Sequence, residues 1–134
     1  MKRFHFVAGL LVAACLGLQA QTIDMHAHIP FNFQVSQRTF PAGDYAFHHS
    51  AGVLVVREEA GDHMANISFT VSMSRLKPAS EGEVKFNRYG DYYFLEQLWT
   101  PGSQEGQGVL KSAREKEIAI RSGQQPAVVA ILVK

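Results

Sequence analysis

From Thr22 to Val35 polar and apolar residues alternate without a break. Ile23, Met25, Ala27, Ile29, Phe31, Phe33 and Val35 fall on one side; Asp24, His26, His28, Pro30, Asn32 and Gln34 fall on the other. A period of two predicts a strand with one face in a core and one in water. Pro30 has no N–H to give a ladder, so it puts this strand at an edge or bends it. Phe40-Pro41-Ala42-Gly43-Asp44 is turn chemistry, and Tyr45-Ala46-Phe47 predicts a second strand. Val53 to Val56 predicts a third. After the turn Glu58–Asp62 comes a fourth, in which Ala65, Ile67, Phe69, Val71 and Met73 alternate with polar partners.

The strongest local signal follows a loop over Leu76–Gly82. Val84–Tyr89 and Tyr92–Gln97 flank Gly90-Asp91, the composition of a two-residue II′ hairpin turn. That turn sets Lys85 opposite Glu96, Phe86 opposite Leu95, Asn87 opposite Phe94 and Arg88 opposite Tyr93, giving one ion pair and one apolar pair. Tyr89, Tyr92 and Phe94 then share one face; Phe86, Tyr93, Leu95 and Trp99 share the other. Pro101–Gly108, with its glycines and glutamines, reads as an exposed loop. Ser112-Ala113-Arg114-Glu115 has capping-box form and predicts one short helix over Ser112–Ala119, with Glu115 reaching back to the cap. Ala127–Val133 reads as a buried final strand. About seven strands and one helix define an all-β fold: an antiparallel β-sandwich, with a small β-barrel as the alternative.

The start of the chain is of a different kind. Met1-Lys2-Arg3 is a short positive segment, Phe6–Leu18 is almost wholly apolar, and Ala20 precedes Gln21. A charged start, an apolar run shorter than a membrane span and a small-residue exit predict a signal peptide over residues 1–20, leaving one β-rich domain over 21–134. The expected location is periplasmic or extracellular. Val12-Ala13-Ala14-Cys15 also has lipobox form, so a lipid anchor through Cys15 is the alternative, and the only way this sequence reaches a membrane. Cys15 is the single cysteine, so the mature domain has no disulfide and no thiol chemistry. Loss of Lys2 and Arg3 takes the formal charge from +1 to −1, and no basic block points to nucleic acid.

Ile29-Pro30-Phe31-Asn32-Phe33, Phe40-Pro41-Ala42-Gly43-Asp44-Tyr45 and Phe86-Asn87-Arg88-Tyr89-Gly90-Asp91-Tyr92-Tyr93-Phe94-Leu95 resemble segments of small exported β-rich proteins common in acidobacterial genomes. Trp99-Thr100-Pro101-Gly102 and Ser112–Glu115 extend the resemblance along most of residues 21–134. It implies secretion, a β-rich fold and a bacterial source. It brings no assigned activity and no catalytic residues, and the histidines lie outside its pattern.

Those histidines carry the one suggestive chemistry. His26 and His28 share a strand face, roughly 7 Å apart by the strand rise, and can chelate zinc or copper with a third ligand from His48, His49 or His63. The competing reading is a solvated polar face. Thr22–His28 also looks like the metal-binding strand of amidohydrolase barrels, but such a barrel needs at least roughly 200 residues. Tyr89, Tyr92 and Phe94 form a second candidate, a flat aromatic platform for a glycan or protein partner, unless the helix or the Pro101–Gly108 loop covers it. There is no nucleophile elbow, phosphate-cradling loop or paired-carboxylate motif. The sequence therefore predicts a non-enzymatic binding or structural module of the cell envelope, without a cofactor. Envelope metal binding and a small-ligand carrier barrel are the alternatives.

Overall fold

A computed structural model of the chain describes residues 22–60, 66–78 and 80–133. The predicted signal peptide, Cys15, His63 and Ala65 lie outside these residues. The strands are β1 (Ile23–Ile29), β2 (Phe33–Val35), β3 (Arg38–Phe40), β4 (Gly43–Ser50), β5 (Val53–Glu58), β6 (Asn66–Ser74), β7 (Gly82–Tyr89), β8 (Tyr92–Trp99), β9 (Glu105–Val109) and β10 (Ala127–Val133), with one helix, α1 (Ala113–Ser122), before β10. The protein is all-β with one short helix, and its strands form a single mixed sheet that is not closed into a barrel.

The long opening strand is interrupted at Pro30. β1 pairs with β4, while β2 turns away to pair antiparallel with β3 and parallel with β8 at Gln34 and Phe94. That parallel contact makes the sheet mixed where the sequence predicted only antiparallel pairing. The alternation survives the break: Ile23, Met25, Ala27, Ile29, Phe33 and Val35 are all in the core.

Pairing runs β1-β4-β5-β6-β9-β8, with β7 and then β10 beyond β8. β6 is shared between two halves of the sheet: Asn66–Phe69 pairs with β5 and Thr70–Ser74 with β9. Inward residues of both halves, among them Phe47 and Leu54 from one and Val84, Phe86 and Leu98 from the other, meet in one core. Tyr45, Phe33, Phe47 and Phe86 are its largest fully buried side chains. Burial, then the neighbouring Glu58 charge, pushes the Tyr45 hydroxyl pKa up to about 12. β10 lies beside β1, but no ladder joins them among the described residues. A carrier barrel needs a closed sheet around a cavity; here the sheet is open and aromatic side chains fill the space between its halves.

The hairpin register holds from Tyr89–Tyr92 to Phe86–Leu95, with Gly90 at φ +60° as the turn requires. Beyond it a β-bulge intervenes: Lys85 pairs with Gln97 instead of Glu96, and Val84 with Leu98. The extra residue reverses the alternation. Leu98 enters the core, and Trp99, predicted to share the Leu95 face, turns to the other side. There its ring lies against Gly106, where an added Cβ would sit 2.6 Å from the indole. This close approach explains β9, which occupies part of the predicted loop: its glycines make room for the side chains above them.

Helix α1 starts where the capping pattern placed it and runs three residues further. The Ser112 hydroxyl accepts from the Glu115 N–H (3.1 Å), and Gly123 closes the helix in the left-handed region at φ +63°. Glu115 does not complete a capping box. Its carboxylate is buried and accepts from Asn87 Nδ2 (3.2 Å) and Tyr89 Oη (3.4 Å), tying the helix to the hairpin. The final strand is not buried as predicted. Among the described residues β10 pairs with β7 alone, and Val128 and Leu132 face solvent.

Candidate functional site

The outer surface of β1, β4, β5 and β6 is built by the same alternation that fills the core. Outward residues are Asp24, His26 and His28 on β1; Asp44, Ala46 and His48 on β4; Val53, Val55 and Arg57 on β5; Ile67, Phe69 and Val71 on β6. Register assembles them into rows: Asp24–His48–Val55–Ile67, His26–Ala46–Arg57 and Val53–Phe69. One end of this surface is histidine and carboxylate; the other is apolar.

At the histidine end, His28 Nδ1 donates to Asp44 (2.9 Å), His48 Nδ1 to Asp24 (2.5 Å) and His26 Nδ1 to Glu59. An ionised carboxylate can only accept, so each Nδ1 carries a proton and each neutral ring keeps its lone pair on Nε2. A groove of about 350 Å³ runs over Ala46, between His26, His48, Asp24, Val55 and Arg57. Among the described residues no group of three or more His, Cys, Asp or Glu side chains is gathered as a metal site. The predicted pair His26 and His28 is thus exposed, and of the three candidate third ligands His48 stands beside it. His49 does not.

His49 faces inward and is 4 % exposed. Its Nε2 meets Thr70 Oγ1 (2.8 Å), and Thr70 gives its single hydroxyl proton to Gln107 Oε1 (3.1 Å). Nε2 must therefore donate, which leaves a bare lone pair on Nδ1, buried and without a hydrogen-bond partner. Burial, then the neighbouring His48, holds the His49 pKa below the ordinary histidine value.

This polar chain belongs to a strand turned inside out. In β6 it is Ser68 that is buried, while Ile67, Phe69 and Val71 are 62 %, 70 % and 50 % exposed. Ser36 and Ser68 hydroxyls meet at 2.8 Å, and Asn66 Nδ2 donates to the Val35 carbonyl (2.9 Å), so the inward polar side chains of β6 each have a partner. Leu110, 54 % exposed, adds to the apolar end. Beside it a cleft of about 480 Å³ is lined by Ile67, Phe69 and Leu110, with Arg38, Asn66 and Lys111 at its rim. The sequence does not disclose this surface, because alternation says which residues share a face and not which face is inward.

The aromatic platform does not form. Tyr89 and Phe94 are 5 % and 2 % exposed and pack edge to face, with the Tyr89 hydroxyl on Glu115 of α1. Only Tyr92 remains open, with Arg114 of the helix 5.9 Å from its ring centre. Comparison with family models, curated proteins and solved structures gives no match.

Proposed function

We propose that this protein is an exported, non-enzymatic binding module of the cell envelope, which holds a protein partner on the outer face of β5 and β6. The observation that carries the reading is the inverted β6. A slip of one residue in register would exchange its faces and bury Ile67, Phe69 and Val71, each contributing about 1.5–3 kcal/mol when fully buried. The hydrogen bonds of Ser68, Thr70 and Asn66 hold the polar face inside instead, so the apolar face is kept outward by construction. Val53, Val55 and Leu110 make it continuous across the register. Contiguous apolar surface of this kind marks interaction sites on exported and cytosolic proteins alike. Its apolar floor suits a protein chain better than a glycan, and Lys111 in the cleft lining suits an acidic group on that chain.

The test is site-specific photo-crosslinking in producing cells, with a benzophenone side chain at position 69. Ile120, 82 % exposed on the helix, is the control. A discrete adduct from position 69 and none from position 120 is expected. Identical adducts from both positions, or none from either, would remove the reading.

A further inference from the structure

We propose that the outer face of β1 and β4 is a transition-metal site, in which Nε2 of His26 and Nε2 of His48 hold one zinc or copper ion over Ala46. The inference is independent of partner docking on β6. It rests on four features of the groove.

Each imidazole on this face is held through Nδ1 by its own carboxylate, which fixes the tautomer that keeps the lone pair on Nε2. Metal-ligating histidines are oriented in this way, by a hydrogen bond from the ring nitrogen that does not hold the metal. Space is available as well. His26 lies opposite Ala46, whose methyl group leaves the groove open between His26 and His48. The local charge favours a cation, since Asp24, Asp44 and Glu59 outnumber Arg57. Finally, the His26 and His48 side chains are 70 % and 50 % exposed, so both rings can lean towards an ion without disturbing the core. His28 does not line the groove, so the cross-strand pair replaces the neighbour pair that the sequence suggested. Two protein ligands leave the remaining positions to water.

The experiment is calorimetric titration of the purified protein with zinc and with copper ions alone, alongside His26→Ala/His48→Ala, His28→Ala and Asp24→Asn. All four side chains are exposed, and unchanged melting curves confirm that the variants fold. The expected result is one ion per chain that the double variant lacks, an affinity changed less than about threefold by His28→Ala, and a loss of about 10–100-fold in Asp24→Asn through the ring it supports. Identical titrations of the wild type and the double variant would overturn the site. So would loss of the ion in His28→Ala, which would return it to the neighbour pair.

Discussion

His49 is the side chain whose placement says most about its surroundings. It is buried, its Nε2 proton goes to Thr70, and its Nδ1 has nothing to share a proton with. Protonation would bury a charge without a partner, so the folded-state pKa lies below the unfolded one. The unfolded chain then binds more protons than the folded chain below about pH 6.5, and stability rises with pH there. The stabilising contribution is complete above the unfolded value and declines as pH falls through the folded one. Glu96 acts in the opposite direction: burial, then the Glu115 charge, raises its pKa against the pull of Lys111, Lys85 and Asn87. The difference between wild type and His49→Gln isolates the histidine. Between pH 7 and pH 5 the melting temperature of the wild type should fall more steeply than that of the variant. Parallel profiles would mean that His49 takes up its proton in the fold without penalty.

At the scale of elements, the helix and the hairpin hold each other through one carboxylate. Glu115 serves Asn87 and Tyr89, and burial, then the Glu115 charge, raises the Tyr89 pKa. Glu115→Ala strands both polar groups and should cost about 2–3 kcal/mol in urea unfolding. Glu117→Ala removes an exposed i,i+4 pair with Arg121 and should cost less than about 0.5 kcal/mol. Equal losses would show that Glu115 contributes only as a surface charge. The same elements show how far the sequence could be read. The Gly90-Asp91 turn, the Ser112 cap and the inward face of β1 depend on neighbours in the chain, and all three were legible. The bulge at Glu96, the exposure of β10 and the burial of Tyr89 and Phe94 depend on what packs from elsewhere. Local alternation carries none of that, and for β6 it could not say which face a polar network would claim. The site was half legible for the same reason: His26 and His28 share a strand, whereas His48 joins them only through the β1–β4 register.

Across the whole molecule, one sheet folds over a single core and leaves a seam where β10 meets β1 without a ladder. Gly82 lies at this seam, where an added Cβ would come within 3.2 Å of both Met25 and Val133. The histidine groove lies on β1 and β4, with β1 itself at the seam, and the partner face lies beyond it on β5 and β6. The expectation of export has a direct readout of its own. Intact mass of the exported form should place its first residue at Gln21; a lipidated Cys15 at the terminus would replace cleavage after Ala20 with an anchor. The chain has a single tryptophan, and Trp99 sits 4 % exposed with the Gly106 backbone against its ring and the Arg75 guanidinium 4.2 Å from its centre on the strand-end side of β6. Its emission comes from one indole in one environment, capped by the residue that follows β6. The molecule therefore contains its own optical gauge: a binding event that shifts Arg75 changes the light from Trp99, with no label attached.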